Sequence, residues 1–125
     1  MQQEQWAKAL KIGEFALDDL PASEPRMRAN VCCNQARCLI RLAQDEQALQ
    51  IALQAKEEEL GYGGAWYQLG SSRYNLQQVD DAVTCFEKAL ELGLTAASKH
   101  FVLENLSMAK EAAAAAAVKS PAPRA

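Results

Sequence analysis

The side chains best suited to chemistry in this sequence are amides and arginines, which bind ligands and do not catalyse reactions. Arg37 and Arg41 are one helical turn apart, so together they could hold an acidic side chain. An amide such as that of Asn34 or Gln68 both donates and accepts hydrogen bonds, which suits an extended peptide backbone. These residue types favour recognition of a polypeptide over catalysis.

The cysteines and the single histidine form no catalytic or metal-binding pattern. A structural zinc site needs four Cys or His ligands at short paired spacings. His100 has no nucleophile pattern around it, and the cysteines include no C-x-x-C pair. We therefore expect no enzyme activity, no metal and no cofactor. We expect reduced packing residues at all four cysteine positions, which are Cys32, Cys33, Cys38 and Cys85.

The composition indicates one small helical domain. Of the 125 residues, 50% are hydrophobic but only 6% are aromatic, and many of the apolar residues are alanine. Alanine fills close helix contacts but buries little area, which suits thin helical layers. The net charge of −3 argues against a general nucleic-acid binder. Since there is no long apolar run and no signal-peptide pattern, we expect a cytoplasmic protein with no membrane partner.

Apolar spacing and chain breakers predict helix in nearly every part of the sequence and strand in none. Asp45 and Thr95 are the predicted caps of the third and sixth helices. Glycines at 61–64 predict a stop, and Gly93 is placed to end the fifth helix in the left-handed conformation. The predicted helices cover 3–19, 26–43, 46–60, 65–76, 80–92 and 97–117.

The sequence contains an internal repeat. A shift of about 34 residues superposes the second and third predicted helices on the fourth and fifth. Three pairs of small or apolar residues coincide under this shift, namely Ala48 with Ala82, Ala52 with Phe86, and Ala55 with Ala89. A repeated helical hairpin stacks on its neighbours, so the repeat predicts a layered all-α architecture.

The second copy of the repeat resembles the tetratricopeptide-repeat (TPR) signature W-x2-L-G-x2-Y…A-x3-F…A. Tyr74 lies one residue later than the signature tyrosine, whose place Arg73 takes. The resemblance implies antiparallel helical hairpins stacked as a short TPR superhelix with a C-terminal capping helix. The residues that match the signature are Trp66, Leu69, Gly70, Ala82, Phe86 and Ala89.

The resemblance divides the chain into repeat units. The first helix would be the second half of an earlier repeat whose leading helix is missing, so we expect a piece of a longer protein. The expected units are a partial repeat at 1–23, a linker at 24–28, a degenerate repeat at 29–62, a repeat at 63–96, a capping helix at 97–117 and a disordered tail at 118–125.

Two stretches, NQARCL at 34–39 and WYQLG at 66–70, are similar to the C-terminal TPR region of immunophilin-type co-chaperones. In that group a groove clamps the acidic C-terminus of heat-shock chaperones with one asparagine and several basic side chains. Asn34 matches the clamp asparagine, but two of the basic positions are Gly64 and Gln68 here. Neither residue can hold a carboxylate by charge, which points away from a chaperone tail.

By the same resemblance, the leading helix of each repeat lines a concave groove that would bind a partner peptide or helix. We expect a protein–protein interaction module, an adaptor or scaffold. One alternative is the TPR tail of a peptidyl-prolyl isomerase co-chaperone that binds a heat-shock chaperone. Another is a structural module that self-associates near Trp6. The polar residues expected in the groove are Asn30, Asn34, Arg37, Arg41, Tyr67, Gln68, Ser71 and Asn75.

Overall fold

The computed structural model describes residues 2–119, and helices account for nearly all of this range. The all-α prediction is confirmed, since no strand occurs between residues 2 and 119. No helix in this range is long and apolar enough to cross a membrane. The helices are α1 (Gln2–Asp19), α2 (Pro25–Arg41), α3 (Asp45–Glu58), α4 (Gly63–Asn75), α5 (Val79–Leu92) and α6 (Ala96–Lys119).

The helices form two layers. α2 packs on α3 and α4 packs on α5, so each pair is a hairpin joined by a short turn. α2 also contacts α4, and α4 contacts α6, which makes these three the inner layer. α1, α3 and α5 form the outer layer. This alternation follows from the repeat, because equivalent helices of successive hairpins stack side by side.

The turns inside the two hairpins repeat the same backbone geometry. Ala43 and Gln77, which are related by the repeat shift, have positive φ values of 59° and 67°. The amide of Gln44 donates to the Leu39 carbonyl, and the amide of Gln78 donates to the Arg73 carbonyl, both at 2.8 Å. This six-residue closure is a Schellman motif, which normally places glycine at the positive-φ position.

The structure gives the details of three predicted helix ends, and it differs from the prediction at some of them. Asp45 is the first helical residue of α3 and not its cap, since Gln44 occupies the cap position without a side-chain hydrogen bond. Thr95 does cap α6, where its Oγ1 accepts from the Ser98 amide at 3.2 Å. Gly93 has a φ of 102°, but its ψ of 142° lies outside the left-handed helical region.

The glycine-rich 61–64 stretch was predicted as a stop, yet α4 begins at Gly63. A Cβ at Gly63 would collide with the carbonyl oxygen of Gly93 and would lie 3.0 Å from that of Ala89. The start of α4 therefore lies directly against the end of α5, and only glycine fits there. The close approach of α4 to the end of α5, and not the end of a helix, explains why position 63 is glycine.

The core is built mainly from alanine and cysteine. Three clusters of buried residues run along the layers, and alanines with no exposed area occur in each of them. Phe86 and Val102 are the largest of the fully buried side chains. All four cysteines are buried as free thiols, in agreement with their predicted packing role. The small residues let neighbouring helices approach closely, so the layers are thin.

The first helix is held at its C-terminal end by Arg28. Its Nη1 donates to the carbonyl oxygens of Leu17 at 3.2 Å and Leu20 at 2.8 Å. Its Nε donates to Glu58 Oε1 at 3.3 Å. The guanidinium thus donates to two carbonyls at the end of α1 and ties the predicted linker to α3. No residue of α1 is fully buried.

The C-terminal helix is longer than predicted, because α6 includes Val118 and Lys119. Alanine is the best helix former, so the run at 112–117 continues the helix. The remainder of the predicted disordered tail, 120–125, lies outside the described residues.

Candidate partner-binding groove

The inner layer encloses a cavity of about 720 Å³ between α2, α4 and α6, which we call the partner groove. Its volume falls in the range of sites that enclose a ligand. Residues from all three inner helices line it, together with Phe86 from α5 at its base. They are Arg37, Ile40, Arg41, Tyr67, Gln68, Ser71, Tyr74, Asn75, Phe86, Ala97, Ser98, Phe101, Asn105 and Met108.

The basic side of the partner groove comes from α2. Arg37 and Arg41 are both exposed and lie one helical turn apart, as the sequence predicts. The guanidinium of Arg41 lies 5.6 Å from the centre of the Trp6 ring, so a cation–π contact orients it. Among the described residues, no carboxylate forms an ion pair with Arg37 or Arg41. Their charges are therefore available to a ligand.

The central side of the partner groove comes from α4. Tyr67, Ser71 and Asn75 line the cavity. Asn75 Nδ2 donates to Asp45 Oδ1 at 3.0 Å, which fixes the amide across the neighbouring hairpin. Gln68 also lines the cavity but is only 4% exposed, so it belongs to the base of the groove and not to its rim.

Asn30 and Asn34, which were predicted to lie in the groove, do not line this cavity. Both are exposed on α2, where Asn34 lies about one turn before Arg37 and Asn30 about two turns before it. Asn30 Oδ1 accepts from the Tyr62 hydroxyl at 3.0 Å, and the guanidinium of Arg26 lies 4.6 Å from the Tyr62 ring centre. This cluster continues the same polar stripe of α2 beyond the end of the cavity.

The apolar side of the partner groove comes from α6, and residue-type reasoning did not assign it. Phe101 and Met108 line the cavity and remain 53% and 50% exposed, while Val102 and Leu106 turn into the core. The signal was the spacing, since the α6 lining residues fall on one helical face. They are Ala97, Ser98, Phe101, Asn105 and Met108.

The register shift of one residue in the signature has a structural counterpart. Arg73 stands where the signature places tyrosine, and its Nη1 donates to Gln78 Oε1 at 2.6 Å and pairs with Asp81 at 3.7 Å. Tyr74, one residue later, lines the partner groove instead. The arginine thus joins α4 to α5, while the tyrosine ring adds apolar surface to the groove.

The two positions at which the resemblance to co-chaperones expects basic clamp residues, Gly64 and Gln68, carry no positive charge here. A Cβ at Gly64 would lie 3.0 Å from Tyr62 Cζ, so the Tyr62 ring covers this position. Gln68 is buried under the groove. The only arginines that line the cavity come from α2, which restricts the positive charge to one side.

The four buried thiols are held in their protonated form. Burial raises the pKa of Cys33 to about 12, with a further increase from Cys32, although Arg37 acts in the opposite direction. Burial likewise raises the pKa of Cys32, Cys38 and Cys85. Thiols held in the protonated form are poor nucleophiles and poor metal ligands. Between residues 2 and 119, no three His, Cys, Asp or Glu side chains are grouped to hold a metal ion.

The comparisons with known proteins agree with this architecture. Residues 63–93 match the family model described as Tetratricopeptide repeat. No curated protein sequence matches the chain. The matched segment covers α4 and α5, the hairpin that carries the signature residues, so this hairpin is similar to a tetratricopeptide repeat.

Solved TPR domains share the fold of the whole chain. The Sgt2 TPR domain from Aspergillus fumigatus is 25% identical with a TM-score of 0.76, over 100% of this chain and 80% of that chain. The first TPR domain of human RPAP3 is 21% identical with a TM-score of 0.75, over 91% and 84%. The first TPR of Spaghetti (RPAP3), bound to HSP90 peptide SRMEEVD, is 21% identical with a TM-score of 0.74, over 90% and 83%.

Proposed function

We propose that this chain, a protein-interaction module with a tetratricopeptide repeat, binds an acidic segment of a partner protein in the partner groove. The observation that carries the proposal is the contrast between the two sides of the groove. Arg37 and Arg41 provide positive charge on α2, and Phe101 and Met108 provide apolar surface on α6. A ligand that satisfies both sides has a carboxylate and an apolar side chain close together.

The contacts expected for such a ligand follow from the groove residues. A carboxylate between Arg37 and Arg41 accepts charge-assisted hydrogen bonds, which are stronger than neutral ones. An apolar side chain of the ligand packs against Phe101 and Met108, and its surface is thereby removed from water. The amide of Asn105 on α6 and the hydroxyl of Ser71 on α4 also line the groove and can hold the ligand backbone. We therefore assign these polar residues to positioning and the two sides to selectivity.

A chaperone tail is a second candidate for the ligand. Two observations favour it: the likeness to a TPR domain that binds the HSP90 peptide SRMEEVD, and the paired arginines. The peptide has acidic residues next to Met and Val, which suits a groove with charged and apolar sides. The missing cations at Gly64 and Gln68 weigh against it. The finer likeness to immunophilin-type co-chaperones, with an isomerase in the same protein, remains a prediction.

Capture of partners by variants of the groove tests the proposed function. Wild type, the double variant Arg37→Ala/Arg41→Ala and the control Lys11→Ala would each be immobilised to capture partners from cell extract, followed by mass spectrometry. Lys11 is exposed on α1 outside the groove lining, so its variant removes charge without touching the groove. We expect specific partners to be lost from the double variant and kept by the control. Partners retained equally by all three proteins would contradict the proposal.

Titration of a labelled SRMEEVD peptide separates the two ligand candidates. Since 1.4 kcal/mol corresponds to about a tenfold change in Kd, loss of two charge-assisted contacts should weaken binding at least about tenfold. A chaperone-type ligand predicts binding to wild type and this loss in the double variant. Absence of binding at high micromolar peptide would exclude a chaperone tail as the ligand. It would not exclude a different acidic partner.

A further inference from the structure

A second cavity of about 490 Å³, which we call the outer groove, lies between α1 and α3 in the outer layer. Gln35 and Leu39 of α2 form its base. They lie about 200° around α2 from Arg37, given 100° per residue, so they face away from the partner groove. None of the residues that line the outer groove also lines the partner groove.

The base of the outer groove contains a buried amide with an unused acceptor. Gln35 is 4% exposed, and its Oε1 has no hydrogen-bond partner among the described residues. A Cβ at Gly13 would lie 2.8 Å from Gln35 Cγ, so α1 rests directly on this side chain. A buried polar atom without a hydrogen-bond partner is destabilising. A ligand with an N–H donor would satisfy it.

The sides of the outer groove combine apolar surface with negative charge. Leu10, Leu17 and Ile51 line the cavity together with the acidic residues Glu14 and Asp18. The two acids are one turn apart on α1, both exposed, and neither forms an ion pair with any residue between 2 and 119. Within the part of the chain that the structure describes, no lysine or arginine lines the cavity. The local charge is therefore negative and uncompensated.

The negative surface continues along α3. A neighbouring recess of about 480 Å³ shares Gln50 and Gln54 with the outer groove and adds Glu57. Glu57 is exposed, whereas Glu58 beside it is engaged by Arg28 at 3.3 Å. The neutral glutamines thus separate two acidic ends, one on α1 and one on α3, with apolar side chains between them. A ligand complementary to this surface is basic and amphipathic.

We propose that the outer groove binds a basic amphipathic segment of a partner protein, by contacts independent of the partner groove. Aliphatic side chains of the ligand pack against Leu10, Leu17 and Ile51. Lysine or arginine side chains lie with their stems on this apolar surface and their charges near Glu14, Asp18 and Glu57. One N–H donor reaches the carboxamide of Gln35. Since the two grooves select opposite charges and share no residue, one molecule can hold two partners.

A labelled amphipathic helix of leucine and lysine, roughly 14 residues or about 20 Å long, is the probe for this groove. Its binding to the full chain would be followed by fluorescence anisotropy, and a matched helix of leucine and glutamate is the control ligand. We expect the basic helix to bind and the acidic helix to bind at least about tenfold more weakly. Equal binding of the two helices would overturn the proposal.

Substitutions in the outer groove test whether the basic helix binds there. Glu14→Gln/Asp18→Asn should weaken the basic helix about tenfold, because it removes both charges and keeps the side-chain shape. Gln35→Leu should weaken it several-fold while the melting temperature stays the same or rises, since the unsatisfied acceptor is removed. A basic helix that binds either variant as well as wild type would overturn the assignment to this groove.

Substitutions in the partner groove are the independent control for binding of the basic helix. Arg37→Ala/Arg41→Ala should bind the basic helix with unchanged affinity, and an excess of SRMEEVD peptide should not displace it. Loss of the basic helix in this variant would overturn the proposal by placing the ligand in the partner groove. Failure of the acidic peptide to bind bears on the proposed function alone and leaves this result intact.

Discussion

Gly70 of α4 lies directly against the ring of Phe86 of α5: a Cβ at Gly70 would be 2.6 Å from Phe86 Cε1. Phe86 is 1% exposed and reaches from this contact to the core beneath α6. It also forms the base of the partner groove. This close contact between α4 and α5 therefore supports the base of the partner groove, and a substitution at Gly70 should affect both the hairpin and the groove.

The substitution Gly70→Ala should destabilise the chain although alanine favours helix by about 1 kcal/mol over glycine. The new methyl group overlaps a ring that has no exposed space to move into. Overpacking of this kind typically costs about 1–3 kcal/mol, so the net loss after the gain in helix propensity should be up to about 2 kcal/mol. Urea unfolding followed by circular dichroism measures it.

Gly61→Ala is the matched control for Gly70→Ala. A Cβ at Gly61 would meet no atom within 4 Å, and Gly61 has no positive φ. The free energy of unfolding should stay within about 0.5 kcal/mol of wild type or increase slightly, because alanine reduces the entropy of the unfolded chain. A destabilisation as large as that of Gly70→Ala would show that the Phe86 contact is not the cause.

Most of the fold followed from the sequence because its determinants are short-range and repeated. The spacing from Trp66 to Ala89 places small residues where α4 and α5 approach, and the 34-residue shift carries the arrangement to α2 and α3. The turns did not follow, since Ala43 and Gln77 adopt positive φ without being glycine. Local propensity is overridden there by the packing of the two helices that each turn connects.

The residues expected in a groove were polar, and the cavity is lined by both polar and apolar side chains. Six of the eight predicted residues line the cavity, and Asn30 and Asn34 do not. The expectation rested on residues that form hydrogen bonds, so Phe101 and Met108 were not among the residues expected in the groove. Which apolar face of α6 turns into the core depends on how α6 sits on α4 and α5. Sequence spacing alone does not determine that packing.

Arg28→Met should loosen the first helix without unfolding the rest of the chain. Methionine keeps much of the side-chain volume but loses the hydrogen bonds to the Leu17 and Leu20 carbonyls and to Glu58. Since no residue of α1 is fully buried, α1 depends on this connection more than the other helices do. Each lost hydrogen bond to a charged group costs about 1.5–3 kcal/mol.

Hydrogen exchange resolves the effect of Arg28→Met by position. Amides of α1 should exchange about tenfold faster or more, while those of α4 and α5 should be unchanged. Arg26→Met is the control, because Arg26 contacts the Tyr62 ring and makes no hydrogen bond to α1. Uniform acceleration across all helices would show instead that the chain unfolds as one unit.

The buried thiols predict a loss of stability at alkaline pH. Burial raises the pKa of Cys33 from 9.0 to about 12 in the folded chain. The neutral thiol is thus favoured by folding, and this stabilisation is fully present below pH 9.0 and is lost as the pH rises towards about 12. The contribution of Cys33 is up to about 4 kcal/mol, from 1.36 kcal/mol per pKa unit. Urea unfolding at about pH 8, below this window, and at about pH 11, inside it, measures the change.

Cys33→Ala tests the assignment of the alkaline effect. Cys33 is 4% exposed, and alanine is well tolerated in the neighbouring core, where Ala55 and Ala65 have no exposed area. The variant should have a lower free energy of unfolding at neutral pH but a shallower fall at alkaline pH. An unchanged fall would assign it to the other buried thiols or to Tyr62, whose pKa burial also raises.

The apolar side of the partner groove gives the most direct separation of binding from stability. Phe101 and Met108 line the cavity but are about half exposed, so Phe101→Ala/Met108→Ala removes ligand contacts while removing little core packing. Leu103→Ala is the matched control, since Leu103 is 48% exposed on α6 and does not line the groove. At about 25 cal/mol per Å² of apolar area, loss of two such contacts should weaken a peptide by about tenfold or more. Anisotropy titration with a groove ligand should show this loss in the double variant only, with melting temperatures close to wild type in both. Equal affinity in the double variant and the Leu103→Ala control would restrict recognition to the arginine side of the groove.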